Sequence, residues 1–98
     1  MIEVQQVDQT AVFNGALTRA TITRAFDKKY RKLVDSKRIV IDLAKVSQID
    51  TAGLAWIILL IELAASKACH ISLVNLPDDL LKLAKLSAVD TLLPIENT

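Results

Sequence analysis

The stretch "RIVIDLAKVSQIDTAGLAWIILLIELAAS", Arg38 to Ser66, decides how the chain folds. It opens on a continuous β-branched run, Arg38–Leu43, a pattern that predicts a strand covered on both faces. It closes on an almost unbroken apolar segment that predicts a helix running to about Ser66. A small polar junction, Asp50-Thr51-Ala52-Gly53, separates the two. Asp50 suits the cap of that helix, because its carboxylate can accept from first-turn amides. Thr51 then begins the helix with its hydroxyl near the surface, and Gly53 allows a close neighbour. Taken alone, Asp-Thr before a helix is ordinary capping. The functional reading of the same residues is a docking or phosphorylation point. A phosphate on Thr51 would add roughly −1.5 to −2 charges at the positive end of the helix. The folded domain tolerates that charge, whereas an apolar partner packed over it does not.

The helix behind the junction supplies a second clue. At about 3.6 residues per turn, Leu54, Ile57, Ile58, Ile61 and Ala65 share one face, which suffices to cover a sheet. Trp56, Leu59, Leu60 and Leu63 point largely the other way, where a surface helix is expected to be polar. Trp56 with Leu59 or Leu63 is therefore expected to face a protein partner. The alternatives are burial against the third helix or in a homodimer.

Working outward, Ile2–Val7 and Thr10–Gly15 read as two strands around a turn at Asp8-Gln9. Thr18 offers a cap for a first helix over Arg19–Val34, with Ile22, Ala25, Phe26, Tyr30 and Leu33 at helical spacing. Its other face carries Arg24, Asp27, Lys28, Arg31 and Lys32, a solvated face or a site for an acidic partner. His70–Leu76 predicts another buried strand. Pro77 with Asp78 and Asp79 suits the start of a third helix. Val89–Ile95 closes the chain as a short edge strand. The order β-β-α-β-α-β-α-β over residues 1–98 predicts one α/β domain with a mixed, mostly parallel sheet and helical crossovers. Asp42 and the Asp50–Gly53 junction fall where strands end and helices begin, the edge at which functional sites gather.

Composition narrows the function. The formal net charge is +1 and only 4% of residues are aromatic, which argues against nucleic acid as a partner. One Cys and one His, adjacent at Cys69 and His70, point to opposite faces of a strand and cannot chelate together. Cys69 is expected to be a small buried residue and His70 a strand-end side chain. The 2 glycines cannot build a phosphate cradle. Asp42 is expected to bond loop amides before Asp50, and no second acid, His or Lys stands at a spacing suited to acid–base work. No cofactor, metal or catalysis is expected. Leu54–Ala65, broken by Glu62, is shorter than the roughly 20 residues of a spanning helix, so direct membrane insertion is not expected. The N-terminus has neither a basic start nor an apolar core, and a cytoplasmic location is expected.

The strand and helix order together with "IVIDLAKVSQIDTAGLAWI" resembles the STAS domains, the fold of anti-sigma factor antagonists and of sulfate-transporter tails. In that family an Asp-Ser/Thr-x-Gly motif starts a helix after a buried strand. The resemblance maps it onto Asp50, Thr51, Ala52 and Gly53, and matches Asp42 to a strand-end aspartate. The stretches Ile41–Ala64 and Leu80–Pro94 are similar to the MlaB-type branch, the cytoplasmic STAS subunits of Mla phospholipid ABC transporters. That resemblance implies a non-enzymatic adaptor, peripheral to the inner membrane, that binds the transporter's ATPase subunit and supports outer-membrane lipid asymmetry. Thr51, Ala52, Ala55, Trp56, Leu59 and Leu63 would then form the partner-binding face. The kinase-regulated branch implies instead a phosphorylation switch with Thr51 as phosphoacceptor. Ala52 stands where Gly or Ser is common, and Thr51 replaces the Ser usual in kinase-regulated members. A nucleotide or small-molecule sensor is a further alternative that the family suggests.

Overall fold

The structure, a computed structural model, describes residues 2–96. Strands β1 (Ile2–Val7) and β2 (Thr10–Leu17) form a tight hairpin, with Asp8 taking the left-handed conformation the turn needs. Two parallel strands follow, β3 (Arg38–Ile49) and β4 (His70–Val74), giving the sheet order β1-β2-β3-β4. Helices α1 (Arg24–Tyr30), α2 (Thr51–Ser66) and α3 (Asp78–Leu86) make the crossovers. The mixed, mostly parallel sheet and the element order match the reading from sequence, with one reduction. The segment expected as a closing strand is a 3₁₀ turn at Asp90–Leu92, followed by a single parallel bridge from Ile95 to Leu73. Two backbone bonds hold it, Leu73 N–H to Pro94 O and Glu96 N–H to Leu73 O, both 2.9 Å.

The decisive strand differs from expectation in two ways. It is covered mainly on one face: Ile39, Ile41 and Leu43 are buried, while Val40 and Asp42 are half-buried. It also continues to Ile49, through residues whose polarity reads as a loop. Two register shifts make this continuation: Val12 pairs with Asp42 but Asn14 with Lys45, and Gly15 pairs with Val46 but Ala16 with Gln48. Each shift inserts an extra β3 residue as a bulge, which bends the strand. The buried positions along this tail are Val46 and Ile49, three apart, so the two-residue alternation that announces a strand is absent.

The first helix begins at Arg24 rather than Arg19. Its cap is Thr23, whose Oγ1 accepts from Phe26 N–H at 3.1 Å. Thr18 is instead buried in the preceding loop, where its N–H donates to Thr21 Oγ1 and that hydroxyl donates to Ala16 O at 2.7 Å. Beyond Tyr30 the chain tightens into a 3₁₀ helix, Arg31–Asp35. Helices α2 and α3 both end in the same motif. After α2, Cys69 N–H bonds Ala64 O and Ala68 N–H bonds Ala65 O; after α3, Val89 N–H bonds Ala84 O and Ala88 N–H bonds Lys85 O. These are Schellman ends, and the left-handed slot usually held by glycine is filled by alanine both times, Ala68 at φ 56° and Ala88 at φ 57°.

The helices share one core with the inner sheet face. At one side of it lie all four aromatic residues of the chain, with Phe13 from β2, Phe26 and Tyr30 from α1, and Trp56 from α2. Ring centroids stand 5.0 Å apart for Phe26–Trp56 and 5.9 Å for Phe13–Trp56, within the range of favourable tilted aromatic pairs. Cys69 is buried at the end of α2, and burial pushes its thiol pKa up.

Candidate docking face at the start of α2

Asp50 ties three elements together. Its Oδ1 accepts from Gly53 N–H at 2.9 Å, which caps α2, and its Oδ2 accepts from Arg19 N–H at 3.0 Å, in the loop after β2. These amides, Arg19 first, hold the carboxyl below the usual aspartate range. Gly53 lies directly on that loop: a Cβ at this position would sit 2.1 Å from Leu17 O and 2.9 Å from the Ile49 side chain. Only a residue without a side chain lets the first turn of α2 rest on the end of β2. The motif thus has a concrete local task, to seat the start of α2 against β2 and its loop.

That seating leaves Thr51 exposed in the first turn. Ala55 one turn on is exposed, and Leu59 a further turn on is 49% exposed. Ala52 and Leu63 beside them are half-buried. These residues form a narrow stripe along α2, polar at its start and apolar beyond.

The expectation that Trp56 points outward is overturned. Trp56 is only 5% exposed and Leu60 is buried beside it. Their side of α2 is covered by α1 and the 3₁₀ helix that follows. The indole Nε1–H donates to Asp27 Oδ1 at 3.0 Å, and Asp27 Oδ2 in turn pairs with Arg31 at 2.6 Å. The buried set also differs from the sheet-facing one expected: Gly53, Leu54, Trp56, Ile57, Leu60 and Ala64 are buried, Ile58 and Ile61 are half-buried, and Ala65 is exposed. What remains open is a groove of about 250 Å³ between α1 and α2, with Asp27, Arg31 and Glu62 at its rim and Leu59 and Leu63 along its side. The edge of Trp56 contributes to its lining.

Asp42 bonds one amide of the stretch before Asp50, as expected, and one side chain that was not expected. Its Oδ1 accepts from Ala44 N–H at 3.0 Å, inside the first β3 bulge, and from Asn75 Nδ2 at 3.1 Å, after β4. The stretch that supplies the Ala44 amide is part of β3 rather than a loop. His70 is exposed at the start of β4. Three residues in these contacts, Arg19, Asp27 and Asn75, are missed as partners by the sequence reading. For Asp27 a signal existed, since it precedes Arg31 by one helical turn. Arg19 acts through its backbone and leaves none.

An antiparallel first strand beside parallel β2, β3 and β4, with a capped α2 seated on the end of β2, defines the chain as a STAS-type α/β domain. The family model described as "Mlab, STAS domain" matches residues 2–94. The chain belongs to that family. Among solved structures it is similar to an anti-sigma factor antagonist from Mycobacterium paratuberculosis, at 20% identity and TM-score 0.75 over 100% of this chain and 86% of that one. It is similar to a STAS domain protein from Planctomyces limnophilus, at 12% identity and TM-score 0.74 over 99% and 90%. It also resembles the anti-sigma factor antagonist SpoIIAA of Bacillus in its unphosphorylated form, at 14% identity and TM-score 0.72 over 99% and 89%. At these identities the likeness is one of fold. No curated protein sequence matches the chain. No helix among the described residues is long and apolar enough to cross a membrane.

Proposed function

We propose that this STAS domain is a non-enzymatic adaptor that docks on the cytoplasmic ATPase subunit of an Mla-type phospholipid ABC transporter. In this reading it supports assembly and activity of the transporter, at the inner membrane, and so helps maintain outer-membrane lipid asymmetry. The observation that carries the reading is the match to the MlaB-type family model over residues 2–94. The contact would use the stripe Thr51, Ala52, Ala55, Leu59 and Leu63, with Trp56 acting from inside as the support of α2. A stripe that begins on a hydroxyl and continues on alanine and leucine suits close helix packing against another protein.

The test is pull-down of the ATPase subunit of an Mla-type transporter from the same cell, against single variants on the stripe. Thr51→Glu and Ala55→Arg are each expected to reduce capture at least tenfold while leaving the fold intact by circular dichroism. Capture unchanged in both variants places the contact elsewhere.

A second reading, a phosphorylation switch in an anti-sigma factor pathway, is supported by the fold likeness to SpoIIAA, solved in both phosphorylated and unphosphorylated forms. Thr51 is the exposed hydroxyl at the matching helix start. A phosphate there would meet the positive end of α2 but also lie beside the Asp50 carboxylate, which repels it. Intact-mass measurement after incubation with a partner kinase distinguishes this reading, which requires a single phosphate lost in Thr51→Ala.

A further inference from the structure

The first strand is an open sheet edge. In the hairpin, Val7 and Thr10 close a two-residue turn, so Val7, Gln5 and Glu3 direct their backbone groups toward β2. The bond from Val40 N–H to Gln9 O places the alternate β2 residues on β3, which agrees with this phase. Ile2, Val4 and Gln6 therefore present their amides and carbonyls away from the sheet. No described residue pairs with them. Natural edges are usually blunted by proline, lysine or a bulge, and β1, "IEVQQV", carries none of these.

Beside this edge, on the helix-covered side, runs a groove of about 270 Å³ between β1 and the α1 segment. Val4, Tyr30 and Leu33 give it an apolar lining, and Gln6, Lys29 and Lys32 are its polar residues. Lys29 and Lys32 are exposed, and the Lys29 ammonium lies 5.4 Å from the Tyr30 ring centroid. On the other face of β1 the exposed side chains are Glu3, Gln5 and Val7.

We infer that the β1 edge accepts an extended acidic segment of a partner protein as a fifth strand, with carboxylates at alternate positions turned toward Lys29 and Lys32. Backbone pairing to Ile2, Val4 and Gln6 supplies affinity, and the side-chain alternation of a strand supplies selectivity. The groove face takes acidic residues. The opposite face meets Glu3 and takes neutral ones. Charge also selects against a second copy of this chain: a two-fold pairing of β1 with itself would bring the lysines of both copies to one seam, where like charges repel. This edge is separate from the α2 stripe, so a partner can engage both.

The experiment is an amide-resolved NMR titration of the whole chain with an alternating threonine–glutamate heptapeptide, blocked at both ends, and with its threonine–lysine counterpart. The glutamate peptide is expected to give saturable shifts centred on Ile2, Val4 and Gln6 that weaken as salt is raised. The lysine peptide is expected to give none. The double variant Lys29→Glu/Lys32→Glu is expected to weaken the glutamate peptide at least tenfold and to admit the lysine peptide. Gln6→Pro removes one outward amide without touching the β2 ladder, and is expected to weaken the glutamate peptide. Absence of saturable shifts, equal binding of both peptides, or indifference to the lysine reversal overturns the inference. So does a concentration-dependent dimer in sedimentation that Gln6→Pro abolishes, since the edge would then belong to a second copy.

Discussion

Helices α2 and α3 end in the same way and differ in nearly everything before it. Over α2 apolar residues occur on every side, whereas α3 has one apolar face, with Leu80 and Ala84 buried, and mostly charged residues around the rest, with Leu86 exposed among them. The difference follows from their neighbours. Helix α2 lies on the sheet between the α1 segment on one side and α3 on the other, so apolar surface around most of its circumference is consumed internally. Helix α3 keeps one large side in water, where Lys82 and Lys85 are exposed. Apolar residues around a helix therefore count the walls it touches inside the domain before they count partners outside it. The stripe Thr51, Ala55 and Leu59 escapes that enclosure, as do Glu62, Ala65 and Ser66 in the last turns.

The comparison breaks most readily at Trp56. Trp56→Ala is expected to lower stability by about 4 kcal/mol in urea unfolding, as truncation of a buried indole does. Leu86→Ala on α3, where the leucine is 85% exposed, is expected to stay within about 0.5 kcal/mol. Similar losses at the two positions would remove the distinction between an enclosed and a rim helix.

Next in size is the seat of α2. Gly53→Ala forces a methyl to within 2.1 Å of the Leu17 carbonyl and is expected to cost about 3 kcal/mol. The Ala84→Gly change on α3 gives the contrasting case, a cavity and helix-propensity cost with no clash, expected to be nearer 1 kcal/mol.

A smaller effect concerns the carboxylate that caps α2, for which α3 has no side-chain counterpart at its own cap, Pro77. Asp50→Ala is expected to cost about 1 kcal/mol at neutral pH. Because the folded pKa of Asp50 is depressed, its contribution is present above the unfolded value, about 3.9, and is lost as pH falls through the lower folded value. The gap between wild type and variant is expected to hold from pH 7 to pH 5 and to narrow in stronger acid, as followed by denaturant midpoints. A gap independent of pH would assign the loss to packing.

The smallest effects test the shared ends. Ala68→Gly and Ala88→Gly relieve a left-handed alanine and are each expected to raise stability by roughly 0.5–1 kcal/mol. Equal gains at the two sites would fit their matching hydrogen-bond geometry.

Much of the fold was legible in the pattern of Arg38–Ser66. A β-branched run, a capping aspartate and a long apolar helix each have strong local causes, and the flanking strands Ile2–Val7 and His70–Val74 follow from the same logic. The misreadings come from effects that act across the chain. Thr18 and Thr23 are chemically equal as caps, and the choice is made by a loop that buries the first and closes with Thr21. The tail of β3 is held by bulges, whose extra residues erase the alternation that would announce a strand. Periodicity correctly gives Trp56 and Leu60 a common side of α2, but cannot say that α1 lies over that side. Thr51, Ala55 and Leu59 were legible as a line on the helix, and what separates them from Trp56 is a hydrogen bond from residue 56 to residue 27.

That bond gives the chain a built-in optical gauge. Its sole indole is shut inside the joint between α1 and α2, against two phenylalanine rings and an aspartate. Emission from this fluorophore will report whether that joint is closed, and will stay quiet when a binder merely covers Thr51 and Ala55, outside the groove that the indole edge lines. A red shift on mixing with any binder would mean that α1 had been prised away from α2, so one spectrum separates surface contact from remodelling.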